Sequence, residues 1–403
     1  MGGFGLGRVT DESVAVATSE SSTSTSSTTG ATSSTAAPDP SVETTTLGSD
    51  ASSTTSADGA APSATTVTTE APPEPPAAGS CGAAPTTVHA KASYVVMSGF
   101  APGEMDAADR LLTSSEPPAG IFVNADISKD TGSRLSGFQA RRATLIAIDE
   151  EGGRVQRIEK VAGNLASAAE LGLQSDETVK SAGSIRGRQL LANGINLDFG
   201  PVVDVRSPGS ESVIGDRSFG SDPAVVTAKA GAFAAGLRSA GVLPTIKHFP
   251  GHGHSNGDSH KGATETPPLD QLLVSDLVPF GQLTKASPVA VMMGHLTVPG
   301  LTTGGTPTSL SPAAYALLRK DMGFDGLVVT DDLLGMAAVT SKYGAVQAGV
   351  LAITAGADLA LFQTTSQRSA VVDGIAAAVE SGKLGSARLD DAVRHIRTAL
   401  DCP

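Results

Sequence analysis

The stretch GFDGLVVTDDLLGM, residues 323–336, carries a short aliphatic run, Leu327-Val328-Val329, that passes through Thr330 and ends on two carboxylates, Asp331 and Asp332. A short apolar run rich in β-branched residues, with Gly326 before it, reads as a strand covered on both faces, as in parallel sheets with helices packed on them. Asp331, the first carboxylate past the strand, is expected to point into the space beyond the strand end. Asp332 is expected to turn away and cap the next helix. An isolated strand-end aspartate is as often a structural cap as a reactive group, so the surrounding sequence has to decide.

Similar runs recur along the chain. Candidate strands are residues 93–97, 120–123, 144–148, 196–199, 243–247, 289–293, 326–330 and 359–362. Helix-like segments lie between them at 176–192, 223–240, 269–283, 312–321 and 344–355, with two more at 367–381 and 387–400. Eight strands with intervening helices is the count of an α/β (β/α)8 TIM barrel; a doubly wound open sheet is the rival architecture. Polar, chemically able residues follow five of the strands: Asp149, Asp204, His248, His295 and Asp331. In a barrel these positions ring one C-terminal face, where active sites are built. That regularity points to an enzyme.

Three further motifs carry chemistry. Asp149-Glu150-Glu151-Gly152-Gly153-Arg154-Val155-Gln156-Arg157 puts acidic and basic groups around a tight glycine turn past the third strand. A carboxylate there can accept from sugar hydroxyls and Arg157 can donate a planar fork, although a surface ion-pair cluster would look the same. Arg217, within Gly215-Asp216-Arg217-Ser218-Phe219-Gly220, reads as a loop arginine presented to a ligand. The densest motif starts at Lys247-His248-Phe249-Pro250-Gly251-His252-Gly253-His254 and runs to Asp258-Ser259-His260, holding four of the chain's seven histidines. Asp258 and His260 are two residues apart, so in extended backbone both side chains would face one way. The carboxylate could then hold and charge the imidazole as a general acid requires. Zinc binding competes for this cluster, but its ligands would share one glycine-rich loop and no HExxH or CxxC spacing accompanies them. No metal and no cofactor are expected.

Residues 1–80 are dominated by Ser, Thr, Ala and Pro, with Phe4 their one aromatic, and are expected to be a disordered tail or stalk ahead of a single domain at 81–403. Most of the net charge of −13 sits in that tail, and no Lys/Arg run is present, which argues against a nucleic-acid partner. No segment is apolar enough to span a membrane. Residues 1–20 lack a signal-type apolar run, and Ala78-Gly79-Ser80-Cys81 comes after sequence too polar for a lipoprotein signal. A Ser/Thr/Pro stalk still suits a wall-crossing tether, so an exported or envelope location is expected. Cys81 opens the domain and Cys402 closes it. Because the termini of a closed barrel lie near each other, a disulfide between them is expected.

The ordered set DEEGGRVQR, GDRSFG, KHFPGHG…DSH and GFDGLVVTDDL resembles the glycoside hydrolase family 3 β-N-acetylglucosaminidases, in particular the single-domain enzymes and exported lipoproteins of mycobacterial type. The likeness covers roughly residues 93–365. It implies a monomeric barrel that binds terminal GlcNAc, with Asp331 as nucleophile, His260 as acid/base and Asp258 orienting His260. It also implies that Asp149, Arg157, Arg217, Lys247 and His248 surround the sugar. The expected activity is removal of GlcNAc from peptidoglycan-derived fragments with retention. Phosphorolysis and broader β-glycosidase action are variants of it, and a metal-dependent hydrolase or a non-catalytic glycan-binding protein are the alternatives of other classes. The sequence departs from the family pattern twice: residues 92–99 lack the family's helical lead-in, and Leu334-Gly335 is expected to loosen the turn after the nucleophile.

Overall fold

The computed structural model describes residues 79–207 and 214–403. The expected disordered tail lies almost wholly outside the described residues. Eight strands form one parallel sheet: β1 Val96–Phe100, β2 Gly120–Val123, β3 Leu145–Ile148, β4 Leu197–Asp198, β5 Leu243–Phe249, β6 Ala290–Met293, β7 Val328–Thr330 and β8 Ala360–Phe362. Strand order around the sheet follows chain order, with β8 paired to β1. A bridge from Val329 to Leu359 joins β7 to the approach of β8 and closes the ring. An open doubly wound sheet would need a reversal of strand order, and none occurs. The fold is the (β/α)8 barrel.

Each strand falls on an apolar run of the sequence, with one shift. Residues 93–97 straddle the end of a helix, Val88–Tyr94, and the start of β1. Thr87 caps that helix by accepting the Ala90 N–H at its hydroxyl, 3.0 Å away. Ser93, Tyr94, Val95 and Val96 are all buried, so burial alone does not mark where helix becomes strand. The helical lead-in expected to be missing is therefore present.

The helix expected over 269–283 is two, Leu269–Leu272 and Leu277–Ala286. Pro279 is the physical reason. Its ring forbids a helical carbonyl at residue 275, so it is tolerated only in the first turn of a new helix. The 312–321 segment likewise divides, into Pro312–Ala316 and a π-helical turn over Leu317–Asp321. The long outer helices Asp176–Ala192 and Pro223–Ser239 are capped by Ser175 and by Asp222 with Pro223. They pack at unusually close range, because a Cβ at Gly183 or Gly236 would run into the partner helix's backbone.

At the N-terminal end of the barrel the Asp358 carboxylate, fully buried, gathers four donors. Arg319 reaches it at 2.6 Å, Arg388 at 2.7 Å, His395 at 2.8 Å and the Val328 N–H at 2.9 Å. A buried carboxylate held by two guanidinium groups ties the last two strands to the C-terminal helix Ser386–Ala399. The two ends of the domain are joined covalently as well: the Cys81 and Cys402 sulfurs are bonded, with Cα atoms 5.6 Å apart.

A second buried acidic group gives a testable sign. Asp198 in β4 is fully buried; its Oδ1 accepts the Glu150 N–H at 3.1 Å, and its Oδ2 has no hydrogen-bond partner. Burial, then the adjacent Glu150 carboxylate, pushes the Asp198 carboxyl well above the usual range. A carboxyl whose pKa is raised by folding opposes stability above its unfolded value near 3.9, and the opposition vanishes as pH falls through that value. Asp198→Asn is therefore expected to raise Tm at pH 7, with the gain shrinking to nothing toward about pH 4. A variant less stable than the parent at pH 7 would mean that Asp198 is ionised and compensated.

Candidate active site

The C-terminal strand ends converge as the sequence regularity required. Lys247, third from the end of β5, is buried and places its Nζ 2.7 Å from both Asp149 Oδ1 and Glu151 Oε1. Arg217 grips Glu151 in a two-pronged contact, Nε to Oε2 at 2.6 Å and Nη2 to Oε1 at 2.9 Å. Burial alone would neutralise Glu151, but the Arg217 and Lys247 charges outweigh it and hold the carboxyl far below the usual range. Those same carboxylates overcome the burial of Lys247 and Arg217 and keep both cations firmly protonated. Removing one partner from such a buried set costs about 3–5 kcal/mol, so the array is rigid.

Asp204 organises the neighbouring side. Its Oδ2 meets His248 Nδ1 at 2.7 Å, and its Oδ1 accepts the backbone N–H groups of His248 at 3.1 Å and His252 at 2.7 Å. The carboxylate thereby fixes the His248 ring with Nε2 turned toward Arg217, 3.4 Å away. Arg157 stands apart from this array. Its ion-pair partner is Asp126, at 3.7 Å, and its buried Nε has no hydrogen-bond partner. The Glu150 carboxylate fixes that segment by accepting the N–H groups of Arg157 and Ile158 at 2.6 and 3.0 Å.

Asp331 and Asp332 diverge as their positions past β7 imply, but Asp332 does not cap the next helix, Ala337–Thr340, whose N-cap is Met336. Asp332 is consumed structurally: Oδ1 accepts the N–H groups of Leu334 at 3.1 Å and Gln363 at 2.9 Å, and Oδ2 accepts that of Gly335 at 2.6 Å. A Cβ at residue 335 would collide with the Asp332 carboxylate. Gly335 is thus what lets this turn be tied down, contrary to the expectation that it loosens the turn. Asp331 Oδ1 accepts the Asp332 N–H at 2.8 Å. Burial opposes charge on Asp331, yet the positive potential of His248, His295 and Lys247 prevails and lowers its carboxyl below the usual range. Of these, Lys247 is the dependable cation. Burial depresses His295, which sits between Ser309 Oγ at 2.7 Å and the Asp332 carbonyl at 2.9 Å.

The histidine-rich loop follows β5 directly. His260 Nδ1 lies 3.0 Å from Asp258 Oδ1, which also accepts the His260 backbone N–H at 3.0 Å. The pair does not lie in extended backbone, as the two-residue spacing suggested. Residues 258–262 form a turn, and the Lys261 N–H reaches the Asp258 carbonyl at 2.9 Å. The same two groups meet through a short carboxylate-to-backbone ring. The loop is bonded to the segment after Asp331, since Ala338 N–H donates to Ser259 O at 3.1 Å and Ala337 N–H to His260 O at 3.4 Å. His260 is exposed and Asp258 partly buried, as suits a group that meets a ligand from solvent. The other loop histidines have separate partners: His252 with Ser255 and Ser259, His254 with Asp276. Among the described residues no three His, Cys, Asp or Glu side chains are placed to hold a metal ion.

Asp149, Arg217, Lys247 and His248 therefore belong to one bonded array, while Arg157 and the Asp258–His260 pair stand on separate segments with partners outside that array. Glu151 and Asp204 carry more of the geometry than the sequence reading gave them. Glu151 had a legible signal, since Asp149 and Glu151 are two residues apart beyond a strand and can face the same way. Asp276, sixteen residues beyond His260, had none.

Comparison with known proteins agrees with this geometry. Residues 129–399 match the glycosyl hydrolase family 3 N-terminal domain. The β-hexosaminidase LpqI of Mycobacterium tuberculosis is 45% identical over 314 residues, covering 73% of this chain and 79% of that protein. A glycosyl hydrolase family 3 structure from Mycobacterium smegmatis superposes with a TM-score of 0.74 at 44% identity, covering 78% of this chain and 97% of that one. A family 3 β-N-acetylglucosaminidase structure from Paenibacillus gives 0.71 at 32% identity, over 79% and 64% of the two chains. The strand-end carboxylates, the buried Lys247 array and these matches together establish that the chain belongs to glycosyl hydrolase family 3.

Proposed function

We propose that this chain is a retaining exo-β-N-acetylglucosaminidase that removes terminal GlcNAc, acting as a monomer on peptidoglycan-derived fragments outside the cytosol. The observation that carries the reading is the contrast at the end of β7. Asp332 spends both carboxylate oxygens on backbone donors, whereas the Asp331 carboxyl, against its burial, is held below the usual range by the surrounding positive potential and the Asp332 N–H. An ionised carboxylate at a barrel mouth is the group a retaining glycosidase needs beneath the anomeric carbon.

In the proposed reaction Asp331 forms a bond to the anomeric carbon as the glycosidic C–O bond breaks. His260 gives its proton to the departing oxygen. Water then attacks the glycosyl ester, His260 takes the water's proton, and Asp331 leaves as the carboxylate. Asp258 orients the imidazole through Nδ1. Asp149, Lys247, Arg217 and His248 hold the sugar hydroxyls, joined by Arg157, whose side chain is partly exposed. The bonded array is pre-organised, so little reorganisation accompanies charge development. No described helix is long and apolar enough to cross a membrane. The Cys81–Cys402 pair and the Ser/Thr/Pro-rich residues 1–80 support a place beyond the reducing compartment.

Initial rates on 4-nitrophenyl β-GlcNAc and 4-nitrophenyl β-glucoside, with and without phosphate and with a chelator, test the reading. A preference of at least about 10²-fold for the GlcNAc substrate is expected, since a site built to hydrogen-bond a substrate group rejects an analogue lacking it by up to about 10⁴–10⁵-fold. The product should be free GlcNAc, and the chelator should change nothing. Preference for the glucoside would move the chain to the broader β-glycosidases. GlcNAc-1-phosphate as product would make it a phosphorylase, and loss of activity with the chelator would favour the metal-dependent alternative.

A further inference from the structure

The loop that carries Asp258 and His260 contains a second histidine–carboxylate pair that the proposed reaction does not use. His254 Nδ1 lies 2.8 Å from Asp276 Oδ2. Asp276 is fully buried just before the helix Leu277–Ala286, and the Ser275 hydroxyl donates to the same Oδ2 at 2.8 Å. Its other oxygen, Oδ1, has no hydrogen-bond partner. Gly251, at the start of the loop, lies against this residue so closely that a Cβ there would strike the Asp276 side chain. A buried carboxylate with one empty oxygen is expensive unless its partner gives something in return. Asp276 also fails to cap its own helix, which is the ordinary use of an aspartate at that position.

We infer that the His254–Asp276 pair is a positioning device that holds the His260 loop at the height where its imidazole can protonate the leaving oxygen. The inference rests on the proposed role of His260. The loop has two sets of tethers. Its distal part is bonded to the Asp331 segment through Ser259 and His260 carbonyls, and within it His252 spans Ser255 at 2.7 Å and Ser259 at 3.0 Å. Its proximal part, 251–254, has the Asp204 contact at His252 N–H and the Asp276 contact at His254. Asp276 is the one side chain from the helix behind β5 that hydrogen-bonds the loop through a side chain among the described residues. Glycines at 251, 253 and 257 give the loop little stiffness of its own. Without the Asp276 tether the imidazole would sample a wider range of positions, and misplacement of about 1 Å at a reacting centre costs on the order of 10²-fold.

Positioning of a proton donor has a signature that general destabilisation lacks. Loss of the donor's placement matters most when the leaving group needs the proton. His254→Ala removes the tether at a partly exposed ring and keeps the buried carboxylate; His254→Asn restores an N–H close to the place of Nδ1. Rates are to be compared on chitobiose, whose leaving alkoxide needs protonation, and on 2,4-dinitrophenyl β-GlcNAc, whose leaving group does not. For His254→Ala we expect kcat on chitobiose to fall about 10- to 100-fold, with less than about a 3-fold change in the pre-steady-state rate of dinitrophenol release, the step that needs no proton. His254→Asn should recover most of the loss on chitobiose. A loss in the pre-steady-state release of dinitrophenol equal to the loss on chitobiose, no loss on chitobiose, or failure of Asn to rescue would overturn the inference. The proposed activity itself fails separately, since the unaltered protein would then not turn over either GlcNAc substrate.

Discussion

Asp331→Asn is expected to abolish turnover almost completely, by roughly four to six powers of ten, the scale of losses when a covalent nucleophile is deleted. The amide keeps the volume of the side chain and can keep the contact with the Asp332 N–H, so the fold should survive. Removing the carboxylate's charge from a site lined by Lys247 should not weaken the sugar array, whose internal bonds run through Asp149, Glu151 and Arg217. GlcNAc binding, measured by calorimetry, should therefore stay within a few-fold of the parent. A residual rate above about 1% would assign the attack to another group. Asp332→Asn is the control: its loss should appear in Tm, because three backbone N–H groups depend on that carboxylate.

Deleting the proton donor gives the second large effect, and its size depends on the substrate. His260→Ala is expected to slow hydrolysis of chitobiose by about two to four powers of ten, the usual worth of general acid catalysis. With 2,4-dinitrophenyl β-GlcNAc the first step needs no proton, so the covalent intermediate should form at nearly the parent rate and then wait for unassisted water. A burst of dinitrophenol followed by a slow steady state is the expected time course. Because the His260 side chain is exposed, the substitution should hardly alter Tm. Equal losses on both substrates without a burst would remove His260 from the role of acid/base. Asp258→Asn should give a milder version of the same pattern, since the amide oxygen can still accept from the His260 N–H.

Much of this was legible because β-strands buried on both faces advertise themselves as short aliphatic runs, and a barrel puts the residue after each run at one face. Asp149, Asp331 and the Lys247-His248 step were found that way. What sequence spacing concealed is long-range. Asp204 comes six residues after β4, and its three contacts with His248 and His252 depend on how the next strand is placed. Asp276 meets His254 across twenty-two residues and a helix break that Pro279 imposes. The Asp258–His260 contact was read correctly as a pair and wrongly as extended backbone, since a carboxylate two residues before an N–H can equally close a turn. At β1 the boundary erred because helix end and strand start are both buried and apolar. Gly335 misled for a related reason: glycine reads as looseness until the carboxylate packed against it is seen.

The central claim, a covalent bond between sugar and Asp331, is most directly tested with 5-fluoro-N-acetylglucosaminyl fluoride, in which the ring fluorine slows breakdown of the intermediate more than it slows departure of the anomeric fluoride. Mass spectrometry of the intact protein should then show one added fluorosugar, and a digest should place it on the peptide containing Thr330-Asp331-Asp332, with fragmentation assigning it to Asp331. The account predicts that this label forms with the parent protein and is absent from Asp331→Asn. A label on Asp332, or the absence of any adduct together with an inverted anomer as the first product of β-GlcNAc hydrolysis, would contradict it.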